Sequence, residues 1–384
     1  MNLTQALRDA RARTDILLNL VCPHALYERP IAERHRIVFY LGHLEAFDWN
    51  LLHEVVNLPS FHPSFDRLFA FGIDPGPGNL PADAPSDWPQ LDEVHGYNAR
   101  VRDELDARLA DAPEQLLHVA IEHRLMHAET FAYMLHNLPA EHKVAQAQSP
   151  AGGGPVAPEM IEVPRGTARL GLDTGSASFG WDNEFEAHSV DVPAFAAGRY
   201  KVTNGEYLRF VEAGAATPNF WVRSDGQWYW RGMFEQVPLP LDWPVYVSQQ
   251  EAQAYAGFAG KRLLTEAEYH RCLATAPPAD PSHDNFDFYR WDPMPVNSGN
   301  GGSAGFRQLV GNGWEWTSTP FAPFPGFAAF PFYPGYSADF FDGQHYVMKG
   351  ASARTAACFT RPSFRNWFRA SYPYVYAGFR VAEE

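Results

Sequence analysis

Apolar residues recur every three to four positions through the first third of the chain, the period of helices with one buried stripe. The pattern predicts helices over 2–20, 31–56, 91–111 and 113–138. In the second, Tyr40, Leu44, Phe47 and Leu51 share a face. In the fourth, the stripe runs Leu116, Ala120, His123, His127, Thr130 or Phe131, Met134 and Leu138. Pro113 suits the start of that helix, where a missing N–H costs nothing and the ring presets φ. Residues 59–89, rich in Pro, Gly and Asp, predict a loop. Four helices of this length predict a bundle over 1–138, an architecture whose core often holds metals. Residues 139–157 are small, Pro-containing and interrupted by three successive glycines, the composition of a linker. From 158 to 384 the texture changes to short strand-like runs punctuated by Gly, Pro, Asn and Trp. Helices are predicted there only around 204–213, 248–259 and 265–274. The fold class is therefore α+β, a four-helix bundle followed by an irregular, loop-rich domain.

Composition narrows the partners. A chain of 384 residues with 46% hydrophobic content is long enough for two cores and is not disordered. A net charge of −15 argues against nucleic acid or an anionic membrane as the main partner. No apolar run approaches the length of a membrane span. The first twenty residues interleave acids and bases, an amphipathic helix rather than a signal peptide. Three distant cysteines, Cys22, Cys272 and Cys358, form no disulfide framework and fit a reducing cytoplasm. Aromatics make up 15% and concentrate in the second half, which predicts an aromatic-lined pocket or a loop-rich core.

The chemistry centres on His123-Arg-Leu-Met-His127-Ala-Glu129. Histidines four apart lie one above the other on a helix, and two imidazoles so held can ligate one transition metal. Both fall on the inward stripe, where an imidazole needs a partner. His43, between Tyr40 and Phe47 on the apolar face of the second helix, is the candidate third ligand. Three neutral imidazoles with open positions suit Zn(II), Fe(II) or Cu(II), and spacing alone does not choose. Glu129 lies roughly 200° round the helix from His127, which makes it a supporting residue rather than a ligand. A lone inward histidine is ordinarily a satisfied core residue, so the metal reading rests on the three together. His24, His35, His53, His62, His95, His118 and His136 compete with them and are expected mostly in solvent.

The second domain carries sharper signatures. In order they are Gly198-Arg-Tyr-Lys-Val-Thr-Asn-Gly-Glu-Tyr207, Trp243-Pro-Val-Tyr-Val-Ser248, Lys261-Arg-Leu-Leu-Thr-Glu-Ala-Glu-Tyr269, Gly311-Asn-Gly-Trp-Glu-Trp-Thr-Ser318, Arg361-Pro-Ser-Phe-Arg-Asn-Trp367 and Ala377-Gly-Phe-Arg380. Together they resemble the formylglycine-generating-enzyme fold, a C-type-lectin-like domain, over 158–384. Sulfatase-modifying members need a reactive cysteine pair late in the domain. Only Cys358 is near, so that activity is not expected.

A DinB-like bundle with H-x3-H-x-E ahead of such a domain resembles the ergothioneine-synthase family of non-haem iron enzymes, over nearly the whole chain. The resemblance implies an oxidoreductase in which His43, His123 and His127 hold Fe(II). It implies hercynine (N-trimethylhistidine) and O2 as substrates, at a site between the two domains. Asn366 and Trp367 fall where the family binds hercynine, and an indole suits a trimethylammonium group. Tyr333 and Tyr336 fall where it places active-site tyrosines. The branch that uses gamma-glutamylcysteine has an acid directly after the Asn-Trp pair, an arginine four further on, and a glutamine before the second helical histidine. Here these are Phe368, Tyr372 and Met126. With Phe39-Tyr-Leu-Gly-His-Leu-Glu-Ala-Phe-Asp-Trp49, the departures most resemble the selenoneine-synthase branch, which takes selenium from a selenosugar. The alternatives are a sulfoxide synthase joining hercynine to cysteine or gamma-glutamylcysteine, and a non-catalytic metal- or ligand-binding protein. Only small-molecule partners are expected; nothing in the sequence gives an oligomeric state.

Overall fold

The computed structural model describes residues 2–70, 80–146, 152–299 and 305–384. Its contacts divide the chain into two compact units, Met1–Ala147 and Gln148–Glu384. The first unit holds helices α1 (Leu3–Leu18), α2 (Ile37–Leu52), α3 (Pro63–Leu68), α4 (Leu91–Asp106) and α5 (Glu114–Asn137). Leu7, Ala10, Arg11, Thr14 and Leu17 form the buried stripe of α1, which packs on α5. In α2 the sequence is apolar on nearly every side. It is accordingly the central helix, in contact with α3, α4 and α5. The expectation of one buried face was too narrow: Val38, Leu41, Glu45, Asp48 and Trp49 are buried as well.

Boundaries differ for local reasons. Residues 31–36 are turn and extended chain, and side-chain contacts of Arg36 fix where the helix begins. Arg36 is extended and donates to the carbonyl of Tyr27 at 2.7 Å and to Oδ2 of Asp83 at 3.0 Å. After Leu52 the chain turns, and Asn57 is left-handed at φ 59°. The 59–89 loop contains α3, which starts on Pro63 with His62 as its N-cap; six residues are too few to show a period. Residues 71–79 of that loop and 147–151 of the linker lie outside the described residues. The described start of the linker returns to the bundle through a bridge between Val21 and Lys143.

The second unit has strands β1 (Met160–Val163), β2 (Gly166–Leu170), β3 (His188–Val192), β4 (Phe195–Gly198), β5 (Trp221–Ser224), β6 (Gln227–Arg231), β7 (Gln236–Pro238), β8 (Arg262–Leu263), β9 (Gly313–Pro320), β10 (His345–Ala351), β11 (Asn366–Arg369), β12 (Ala377–Gly378) and β13 (Val381–Glu383). Two four-stranded sheets run β1-β4-β13-β8 and β11-β10-β9-β12. The first is antiparallel; in the second, β12 is parallel to β9. β2 pairs with β3, and β5-β6-β7 is an antiparallel meander. The predicted helices are present as α6 (Asn204–Glu212), α7 (Gln249–Phe258) and α8 (Glu266–Leu273), with a short α9 at Pro281–Asp284. Each of the first three opens on a capping box, Thr203 with Glu206, Ser248 with Glu251, and Thr265 with Glu268.

The sequence signatures meet in the core. Glu315 of β9 accepts from Arg380 Nε at 2.8 Å and pairs with Lys201 at 3.1 Å, all three buried. The indole of Trp316 donates to the Val247 carbonyl at 2.8 Å. These motifs therefore build the domain. Among the described residues no helix is long and apolar enough to cross a membrane.

Candidate metal centre and aromatic cage

α2 and α5 bring His43, His123 and His127 together; one nitrogen from each lies within 4.8 Å of the others. His43 Nε2 and His127 Nε2 are 3.2 Å apart. Two imidazole nitrogens bound to one ion at about 2.1 Å lie about 3.0–3.4 Å apart, so the spacing fits shared ligation. The Nδ1 of His43 donates to the Phe69 carbonyl at 2.7 Å, since a carbonyl can only accept. The neutral ring then presents Nε2 as a lone pair. His123 stacks on Phe47 with centroids 3.3 Å apart, and His43 stacks on Phe39 at 4.8 Å.

Electrostatics keep all three rings neutral. Burial lowers His43 to about 4, against a partial offset from the Phe69 carbonyl. Burial, then the charge that a neighbouring imidazole would carry, holds His123 and His127 well below the ordinary histidine value. Neutral imidazole is the ligating form, so the donor set fits a transition metal. Glu129 is half-buried and is not one of the three converging groups; Met126 is half-buried on α5 beside His127. Of the competing histidines only His24 and His95 are exposed, and His136 is buried.

Two features escaped the sequence reading. One is Phe69, which supplies the carbonyl beneath His43. The other is a buried ionic cluster behind the histidines. Arg124 of α5 donates to Glu45 and Asp48 of α2, at 2.9 and 2.7 Å. Burial would raise the Glu45 carboxyl, but Arg124 and Arg102 outweigh it and hold it at about 2. The signal was present as two carboxylates, one turn apart, inside an otherwise apolar helix.

In the second unit, β11 carries Asn366, Trp367 and Phe368. Trp367 is half-buried and lies parallel to Phe321, with centroids 4.2 Å apart and planes 5° from parallel. Tyr336 meets it edge-on at 5.3 Å, and Phe340 closes the cluster at 5.7 Å. Tyr336 also stacks on Trp181, and Tyr333 lies 5.6 Å from Tyr336. Burial, with the charge of Asp182, pushes the Tyr333 phenol up to about 12. Asn366 Oδ1 accepts from the Trp367 N–H at 2.9 Å. Successive residues of a strand alternate faces. Accordingly Phe368 joins a different stack, parallel to Tyr372 at 5.2 Å. The segment before β11 is pinned by buried ions. Arg361 Nη2 donates to Glu184 at 2.6 Å and Arg365 Nε to Glu266 at 3.0 Å. Tyr333, Tyr336, Asn366 and Trp367 are thus brought together, whereas Phe368 stacks on Tyr372, which meets Tyr374 edge-on at 5.0 Å.

Residues 6–138 match the DinB superfamily, and residues 145–384 match the sulfatase-modifying factor enzyme 1-like domain family. The chain is therefore a DinB-type bundle joined to a formylglycine-enzyme-like domain. It is 34% identical to the hercynine oxygenase of Mycolicibacterium smegmatis, over 83% of each chain. It is 27% identical to ergothioneine biosynthesis protein 1 of Neurospora crassa, over 97% of this chain but only 56% of the fungal protein. A formylglycine-generating enzyme of Thermomonospora curvata is 28% identical, over 42% of this chain and 71% of that enzyme. On these matches the chain belongs to the ergothioneine-synthase-like family.

Proposed function

We propose that this protein is a selenoneine synthase, a cytoplasmic oxidoreductase that joins selenium from a selenosugar to the imidazole of hercynine, with O2 as oxidant. The observation that carries the reading is the convergence of three neutral imidazoles in a bundle. Relatives named hercynine oxygenase and ergothioneine biosynthesis protein support the substrate. His43, His123 and His127 would hold Fe(II), which when bound supplies O2 activation and a seat for the donor anion.

The chain's own residues do the rest. The Trp367 indole, backed by Phe321, receives the trimethylammonium group by cation–π attraction. Asn366 stands beside it with its amide oriented by the Trp367 N–H. Burial keeps the phenolic proton on Tyr333, so near neutral pH it offers an O–H rather than a phenolate; Tyr333 and Tyr336 are the residues we assign to hydrogen donation. We assign donor recognition to Phe368 and Tyr372 of the second unit and, on the bundle, to Met126 beside His127. The Phe368–Tyr372 stack supports a weakly charged donor, because a sugar needs no carboxylate-binding guanidinium.

The test is turnover of hercynine by the Fe(II)-loaded protein with a selenosugar, cysteine or gamma-glutamylcysteine, read by O2 uptake and product mass. A selenium product formed faster than either sulfur product is expected. Preference for an amino-acid thiol establishes the second reading, a sulfoxide synthase, which the names of the relatives favour. Metal binding with no hercynine-dependent O2 uptake establishes a non-catalytic binding protein.

A further inference from the structure

Directly behind the three histidines a single guanidinium bridges α2 and α5. Arg124 is fully buried and directly follows His123. Its Nη2 donates to the carbonyl of Leu44 at 2.7 Å, to Glu45 Oε2 at 3.0 Å and to Asp48 Oδ2 at 2.7 Å. Its Nη1 donates to Glu45 Oε1 at 2.9 Å. Leu44 directly follows His43. One planar group, attached beside His123, thus grips α2 from the residue after His43 to one turn further on. Arg102 of α4 reaches Glu45 at 2.6 Å, and Arg11 of α1 approaches Asp48 at 3.6 Å. Each of these arginines has an acid of its own besides, Asp15 for Arg102 and Asp106 for Arg11.

Buried ions are a costly way to join helices, and apolar residues of similar volume often hold them as well or better. Apolar contact, however, is non-directional. A slip of one residue moves a helix 1.5 Å along its axis, whereas metal–ligand distances tolerate only about 0.2 Å. A forked guanidinium with four fixed acceptors discriminates between such registers.

We propose that Arg124, with Glu45 and Asp48, is a positioning clamp that sets the register of α2 against α5, so that His43 meets His123 and His127. It serves ligand geometry rather than stability. The inference rests on the reading of the three histidines as a metal centre.

The test uses the whole chain, with Co(II) as the probe, and reads its visible absorption and the thermal midpoint separately. The apolar triple variant Arg124→Met/Glu45→Met/Asp48→Leu leaves Arg102 with Asp15 and Arg11 with Asp106. It is expected to unfold at or above the wild-type temperature yet bind Co(II) at least tenfold more weakly. Arg124→Lys keeps the charge but not the fork, and Asp48→Asn keeps the shape but not the charge; each is expected to weaken binding at least threefold. Wild-type affinity in a folded triple variant overturns the clamp. If the triple variant does not fold, wild-type affinity in both single variants overturns it. A wild-type protein that binds no Co(II), or whose binding survives His43→Ala, overturns the metal reading and the clamp with it.

Discussion

His43 of α2 rests on the main-chain carbonyl of Phe69, Nδ1 to oxygen 2.7 Å, just past the end of α3. That contact depends on the absence of a side chain one residue earlier. A Cβ added at Gly42 would lie 2.6 Å from three ring carbons of Phe69. The Phe69 ring is itself confined by Trp88, Tyr97 and Phe65. Gly42→Ala should therefore displace Phe69 and its carbonyl, freeing the His43 ring to change tautomer. Loss of such an outer partner weakens metal binding by roughly tenfold or more. Titration with Co(II) or Fe(II) checks this, and unchanged affinity would show that the carbonyl is dispensable.

Trp367 offers a second expectation. If its indole receives a trimethylammonium group, Trp367→Ala should weaken hercynine binding by roughly 2- to 30-fold, the span of about 0.5–2 kcal/mol. Trp367→Phe should lie between. Plain histidine, which lacks the quaternary ammonium, should respond little. Calorimetric titration with both compounds separates a cation–π contact from general disruption of the cage.

On the proposed function, the choice of donor falls to Phe368 and Tyr372. Phe368→Asp with Tyr372→Arg installs a carboxylate and a guanidinium where the rings now stack at 5.2 Å. Charge-assisted hydrogen bonds to an amino-acid donor should shift the ratio of thiol to selenosugar turnover by about tenfold or more. Competition between the two donors in one reaction reads the ratio directly. An unchanged ratio would remove these residues from donor recognition.

Asp292 supplies a pH dependence with a defined sign. Burial raises its carboxyl to about 6, although the Trp230 indole N–H, at 3.1 Å, partly offsets this. The folded value lies above the unfolded one. The contribution is present below pH of about 4, the unfolded value, and is lost as pH rises through 6. Asp292→Asn removes that dependence. Between pH 4 and 7.5 the variant should gain roughly 2–3 kcal/mol relative to wild type. Urea unfolding at the two pH values measures the gain; parallel pH profiles would contradict it.

Long periodic helices and the three histidines were legible in sequence because each is a local pattern. α5 and His123/His127 follow from a 3.6-residue stripe; the capping boxes at Thr203, Ser248 and Thr265 were an equally local signal that the sequence reading left unused. Phe69 was not legible, because its role belongs to a backbone oxygen whose position depends on a turn and a half of helix. Arg124 was hidden for another reason. It occupies a helix that also carries the histidine stripe, and its partners Glu45 and Asp48 lie some eighty residues away. The separation of Trp367 from Phe368 needed the strand assignment of β11; once Asn366–Arg369 is a strand, alternation puts the neighbours on opposite sides.

The sheet order β1-β4-β13-β8 has a kinetic consequence. Residues 381–383 form an interior strand, with Ala382 opposite Ala197 on one side and Arg262 on the other. The two halves of that sheet cannot close on each other until this late segment is synthesised and inserted. Contacts so distant in sequence make folding slow, and β4 and β8 expose open edges in the interval. Nascent second domains are thus at greatest risk of edge-to-edge association in the moments before Val381 emerges. Faster synthesis of residues 264–383, or a chaperone that shields strand edges, should raise the yield of folded protein.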